Sequence, residues 1–204
     1  MIGILDIGMG NLRSVHNAVY QNGFDPIVVT GTTNFDDLTH LILPGVGNFS
    51  AAAPEITARQ LRRLIVEFVE SGRPLLGTCL GMQLLMTEGE EGGKNVGLDL
   101  IAGKVKRLSC DSVRVPHVGW NILNMTQAHP VFQGIKNGCD FYFVHSYVAV
   151  CESTADQIGT TDYGGAVTAV VGRANVVGTQ FHPEKSQVNG LRMIENFCRW
   201  DGKC

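Results

Sequence analysis

The run Pro74-Leu75-Leu76 leads directly into Gly77-Thr78-Cys79-Leu80-Gly81 and then into Met82-Gln83-Leu84-Leu85-Met86. A short apolar strand, a Gly-x-nucleophile-x-Gly turn and a helix in that order form a nucleophile elbow. The turn is too tight for side chains at the flanking positions, which explains the two glycines. Cys79 is thereby presented at a helix start, where backbone N–H groups and the helix dipole favour the thiolate. A thiolate attacks carbonyl carbons. Cysteine is also a common core residue, so the elbow needs a partner elsewhere in the chain.

That partner is present in Gly178-Thr179-Gln180-Phe181-His182-Pro183-Glu184, which follows the strand-like Asn175-Val176-Val177. His182 and Glu184 are two residues apart, so extended backbone points both to one side. An imidazole oriented by a carboxylate is the base half of a catalytic triad. The long separation from Cys79 requires that the fold assemble the site.

The order of the remaining segments predicts that fold. Residues 2–6, 26–30 and 40–43 read as strands. Residues 11–22 read as a helix, with Leu12, Val15, Ala18 and Val19 on one face and Gly23 as its stop. A longer helix is predicted over residues 54–70, with Pro54 in its first turn. Strand and helix in alternation give a parallel sheet with helices on both faces. Residues 98–108, 140–150, 155–161, 165–172 and 174–180 read as strands with short turns, and residues 188–199 as a closing helix. The expectation is an α/β fold: an open, mostly parallel twisted sheet flanked by helices, with an antiparallel extension in the second half. The 204 residues suffice for one domain, residues 1–204. Sites in such sheets form at the carboxyl ends of the parallel strands. Cys79 and the turn Pro44-Gly45-Val46-Gly47 both lie there.

Composition excludes several classes. The net charge is −3, which gives neither the basic patch of a nucleic-acid binder nor a polybasic membrane contact. No apolar run reaches the ~18 residues of a membrane span. The start Met1-Ile2-Gly3-Ile4-Leu5-Asp6 reads as a strand and lacks the pattern of a signal peptide. Cys79, Cys110, Cys139, Cys151, Cys198 and Cys204 form no CxxC pair and read as reduced thiols of a cytoplasmic protein, Cys204 being exposed. No metal and no cofactor is expected.

The elbow, Pro44-Gly45-Val46-Gly47 and Gln180-Phe181-His182-Pro183-Glu184-Lys185-Ser186 resemble the triad (class I) glutamine amidotransferases. Three further stretches narrow the likeness: Asp6-Ile7-Gly8-Met9-Gly10-Asn11-Leu12-Arg13-Ser14-Val15, Val115-Pro116-His117-Val118-Gly119-Trp120-Asn121 and Tyr142-Phe143-Val144-His145-Ser146-Tyr147. They resemble the glutaminase subunits of imidazole glycerol phosphate synthases. The resemblance implies an enzyme that hydrolyses L-glutamine to glutamate and ammonia through a γ-glutamyl thioester on Cys79, with His182 as acid and base and Glu184 orienting it. The oxyanion donors expected are the N–H of Leu80, after the nucleophile, and the Val46-Gly47 backbone, where flanking glycines let a peptide rotate. Gln83 lies one helical turn after Cys79 and faces the same mouth. The resemblance makes Gln83, Gly47, His145, Ser146 and Tyr147 the glutamine-binding set.

The chain has no P-loop and no room for a barrel of ~250 residues, so the ammonia acceptor must sit on another polypeptide. The resemblance implies a (β/α)8-barrel cyclase in a one-to-one heterodimer, docked against Asn11, Pro116, Trp120, Asn121, Tyr142 and Lys185. It also implies that the oxyanion strand rearranges when that partner binds. Two departures concern the acceptor: Asn48-Phe49-Ser50-Ala51-Ala52-Ala53 replaces the commoner Ala-Phe-Gly-Asp/Glu, and Thr78 stands where Ile is usual. A paralogous glutaminase feeding a partner that amidates a surface-polysaccharide sugar is one alternative; a non-catalytic binding module and a peptidase or deglycase of the same fold are others.

Overall fold

In the computed structural model, residues 1–109 and 112–204 are described. Strands and helices alternate through the first half: β1 (Ile2–Leu5), α1 (Leu12–Gln21), β2 (Pro26–Val29), β3 (His40–Gly45), α2 (Phe49–Ala58), α3 (Leu61–Glu70), β4 (Leu75–Cys79) and α4 (Leu80–Leu84). The second half is rich in strands: β5 (Met86–Gly89), β6 (Asn95–Val96), β7 (Ile101–Arg107), β8 (His117–Ile122), β9 (Asn124–Met125), β10 (Asp140–His145), β11 (Tyr147–Cys151), β12 (Gln157–Asp162), β13 (Ala166–Arg173) and β14 (Val176–Thr179). Helix α5 (Gln187–Arg199) follows.

The main sheet has the order β2-β1-β3-β4-β14-β13-β12-β9. The strands from β2 to β14 run parallel, and β13, β12 and β9 each pair antiparallel. This is the mixed sheet the sequence predicts. Its buried strands feed two cores by strict alternation. Leu5, Leu41, Leu43, Leu75, Val171 and Val176 face one side, which α2 and α3 cover with Phe49, Ile56, Leu61, Ile65 and Phe68. Ile4, Ile42, Leu76, Val170 and Val177 face the other, covered by Val15 and Val19 of α1 and Met193, Ile194 and Phe197 of α5. A period of two on a sheet buried on both faces explains the near-continuous apolar runs.

The structure corrects the segment reading in four places. The helix expected over residues 54–70 is two helices, α2 and α3, broken at Gln60 with φ +56°. The apolar positions explain the break: the step from Ile56 to Leu61 is five residues, which would turn Leu61 away from the face that Ile56 shares. Helix α2 starts early because the Asn48 side chain accepts from the Ala51 N–H at 2.8 Å, and Pro54 lies inside it on the exposed side. Helix α4 is shorter than read. The carbonyls of Leu84, Leu85 and Met86 accept instead from the backbone of residues 98–101. The strand read over residues 140–150 is β10 and β11, in different sheets. Lastly, part of the antiparallel half leaves the main sheet: β11-β7-β5-β6 form a four-stranded sheet and β10-β8 a two-stranded ribbon.

Among the described residues no helix is long and apolar enough to cross a membrane. The described cysteines, Cys79, Cys139, Cys151, Cys198 and Cys204, are free thiols, with Cys204 exposed. Cys110 lies outside the described residues.

Candidate active site

Strands β3, β4 and β14 are neighbours running the same way, so their carboxyl ends share one rim. Gly45 is level with Cys79, and Thr179 with Thr78. Segments that lie more than 100 residues apart in sequence therefore meet by strand pairing.

Cys79 has φ +53° and ψ −109°, a strained conformation for a residue with a Cβ and the mark of an elbow. Its neighbours make room for it. A Cβ on Gly77 would stand 2.7 Å from the Gly81 carbonyl carbon and 2.8 Å from the Met82 nitrogen, and one on Gly81 would strike the Leu43 carbonyl oxygen. Both glycines are thus steric requirements of the turn.

His182 Nδ1 lies 2.8 Å from Glu184 Oε1, and each side chain is only 2% exposed. The turn that carries them is stitched to β10. The His182 N–H donates to the Tyr142 carbonyl at 2.9 Å. The Ser186 hydroxyl donates to the His182 carbonyl at 2.6 Å and accepts from the Tyr142 N–H at 3.0 Å. Burial alone would lower the His182 pKa, but the neighbouring Cys79 sulfur and Glu184 carboxylate outweigh it and raise it to about 9. Glu184 holds a proton on Nδ1, and His182 Nε2 is buried without a hydrogen-bond partner. The Glu184 Oε2 atom is likewise buried without a partner.

A cavity of about 320 Å³ opens over Cys79 and His182. Every residue predicted for oxyanion or substrate contact lines it: Val46, Gly47, Leu80, Gln83, His145, Ser146 and Tyr147. Glu184 stands behind His182. Leu80 opens α4, while Val46 and Gly47 line the cavity from the segment after β3, exposed, with Gly47 at φ +118°. Gln83 is 5% exposed, and its amide nitrogen donates to the Tyr147 carbonyl at 3.0 Å and to Gln180 Oε1 at 3.1 Å.

Two residues of this site had no role in the sequence reading. Glu91 lines the cavity and accepts the first N–H of α2, from Phe49, at 2.7 Å. It sits in Glu90-Glu91-Gly92-Gly93, which reads as a solvated turn, so only the fold reveals it. Gln180 belongs to the His182 motif, is fully buried, and turns its amide toward Cys79 Sγ at 3.9 Å. Its place after the strand and level with the nucleophile was a usable signal.

The expected docking residues are less uniform. Trp120 and Tyr142 pair across the β8–β10 ribbon, rings 5.9 Å apart, with Trp120 48% exposed. Pro116 and Lys185 are exposed, Pro116 at the cavity edge. Asn121 and Asn11 work within the fold: Asn121 donates to the Asp162 carbonyl at 2.9 Å, and Asn11 caps α1 by accepting from the Ser14 N–H at 3.2 Å.

Residues 3–200 match the family model for "Glutamine amidotransferase class-I". The chain is 45% identical to the imidazole glycerol phosphate synthase subunit HisH of Syntrophotalea carbinolica, over 97% of this chain and 98% of that protein. It is 44% identical to the same subunit of Sulfurimonas denitrificans, over 98% of each. In fold it is similar to a crystal structure of a glutamine amidotransferase, with TM-score 0.77, 20% identity and 97% of both chains covered. It is also similar to PurLQS from Thermotoga maritima, with TM-score 0.76, 19% identity and 97% of both chains covered.

Proposed function

From the premise that the chain belongs to the class I glutamine amidotransferases, and within them to the HisH subunits of imidazole glycerol phosphate synthase, we propose that Cys79, His182 and Glu184 hydrolyse L-glutamine. The observation that carries this is the strained Cys79 at a strand end and the buried His182–Glu184 pair, with Cys79 and His182 opening on one cavity. Cys79 attacks the side-chain amide carbon. His182, held as an imidazolium with the proton drawn from the thiol, gives that proton to the departing nitrogen, so ammonia leaves and a γ-glutamyl thioester remains. Water activated by His182 then releases glutamate. Glu184 stabilises the imidazolium in both steps.

The polar groups around the cavity suit the rest of the substrate. The Gln83 nitrogen is committed to protein acceptors, so its oxygen remains for the ammonium end of glutamine. The Glu91 carboxylate adds a negative charge on the same cavity. The oxyanion is held by the N–H of Leu80 and by the 46–47 peptide. One missing donor of this kind costs about 3–4 kcal/mol of transition-state stabilisation. A misdirected Val46-Gly47 peptide therefore keeps the enzyme nearly silent until a partner turns it.

The partner is the (β/α)8-barrel cyclase. It uses the ammonia to form imidazole glycerol phosphate and an aminoimidazole carboxamide ribonucleotide in histidine biosynthesis. The ribbon supports a docking role: along β8 every second residue, Val118, Trp120 and Ile122, is exposed, and Val144 continues the patch on β10. Apolar side chains on the solvent face of a sheet mark an interaction surface. Lys185 and Val188 lie at exposed positions beyond it.

The test is made on the chain copurified with its native partner. Glutamine-dependent synthesis is expected to disappear in Cys79→Ala, with ammonia-dependent synthesis intact because free ammonia bypasses the thioester. The lone chain is expected to hydrolyse glutamine roughly a hundred- to a thousandfold more slowly than the complex, as one absent oxyanion donor requires. Equal rates would refute the gating, and hydrolysis by Cys79→Ala would refute the reaction.

A further inference from the structure

His117 has no part in the chemistry above and is not a wall of the cavity, yet it is buried, stacked between Phe143 and Tyr163 at centroid distances of 4.8 and 3.8 Å. What it touches can be read from one carbonyl. The Tyr147 oxygen can only accept, and it lies 3.0 Å from His145 Nδ1 and 3.0 Å from the Gln83 amide nitrogen. His145 therefore carries its proton on Nδ1 and presents Nε2 as an acceptor. His117 Nδ1, 2.9 Å from that atom, donates to it. The Nε2 of His117 is then left to accept from Asn121 Nδ2 at 3.2 Å. On the far side of Tyr147, the second Gln83 hydrogen goes to Gln180 Oε1, which turns the Gln180 NH2 group toward the Cys79 sulfur.

We propose that His117 is a positioning residue for glutamine hydrolysis. Through His145 and the Tyr147 carbonyl it fixes the amides beside Cys79 and ties them to Asn121 on the exposed ribbon. The line works in one protonation state only. A second proton on His145 would set two donors face to face across the 2.9 Å contact, and one on His117 would set its Nε2 against the Asn121 amide donor at 3.2 Å. Burial lowers the pKa of both rings to about 4, the neighbouring imidazole adding to the effect at His145, so both are neutral at physiological pH.

The inference rests on the glutaminase reading, and the two are separated by reference to the wild-type complex: its glutamine turnover tests that reading, and the variants test this one. His117→Phe keeps a ring in the stack and removes both nitrogens. The expected kcat/KM for glutamine falls roughly tenfold, the effect of one lost hydrogen bond, with ammonia-dependent synthesis unchanged. His117→Asn places an amide N–H where Nδ1 stood, and is expected to recover the rate to within about twofold. In nitrogen-labelled wild-type protein both imidazoles are expected as Nδ1–H tautomers, with a scalar coupling across the contact between them. A wild-type rate in His117→Phe, or an Nε2–H tautomer on either ring, overturns the inference. Should the Phe variant not fold, the tautomers and the Asn variant decide, and an Asn variant with a tenfold loss counts against it.

Discussion

At the cavity Cys79 and His182, with Glu184 behind, sit on buried backbone locked by sterics and hydrogen bonds, whereas residues 46–48 are exposed and Gly47 has a positive φ. The first wall has been given its geometry by the sheet. Gly77 and Gly81 leave no slack at the elbow, and the His182 turn is bonded to Tyr142 of β10 through the His182 N–H at one end and the Ser186 hydroxyl at the other. Within 4 Å a Cβ on Gly47 would meet only the methyl end of Met9, a contact that a flexible side chain can yield. The proposed nucleophile and base are thus preset, while the candidate oxyanion segment is the part left exposed for the proposed partner to move.

The largest effect that would break this contrast comes from the rigid wall. Glu184→Gln keeps an acceptor for Nδ1 but removes the charge, and kcat for glutamine is expected to fall roughly a hundred- to ten-thousandfold, with the His182 pKa lowered in a titration. A wild-type rate would mean that burial alone orients the imidazole. A paired comparison comes next. Gly81→Ala forces a methyl into the Leu43 carbonyl and is expected to lose about 3 kcal/mol or more. Gly47→Ala strains one backbone angle and is expected to lose about 1–2 kcal/mol. Denaturant melts of the two proteins measure the difference, and equal losses would erase the distinction between the walls.

The smallest effect is on pH. His117, His129 and His145 are held at about 4 by burial, below their unfolded value near 6.5. Their contribution to stability is present above that value and lost as pH falls through 4. His182 is raised, so its contribution is complete below about 6.5 and lost as pH rises through 9. The Tm is expected to peak near pH 6.5–7, with Glu184→Gln flattening the alkaline side. A Tm still rising toward pH 4 would contradict the burial of these rings.

Much of this could be read from the chain because the site lies where local signals are strongest. Glycines around a cysteine after an apolar run, and a His-x-Glu after another, are set by backbone geometry that only those residues tolerate. The mixed sheet was legible for the same reason: buried parallel strands leave uninterrupted apolar runs. What escaped was decided by distant partners. The shape of α4 depends on backbone donors from residues 98–101. The split at Ser146 depends on β7 and β8 claiming opposite sides of one apolar stretch. Strand β8 itself alternates, but as His117, Gly119 and Asn121 inward against apolar residues outward, the reverse of the usual pattern on a half-exposed strand. Glu91 enters the site because α2 begins early enough to bring its first N–H to that carboxylate.

Pairing between β3, β4 and β14 has one more consequence. The proposed reacting groups hang from the same end of three adjoining strands, while the chain enters those strands at the opposite edge, where a Cβ on Gly72 would meet nothing within 4 Å. Insertions or fusions at that remote edge leave the alignment of sulfur and imidazole untouched. A shift of β4 by a single residue would instead turn its sulfur through the sheet, so the chemistry is only as secure as the ladder of amides beneath it.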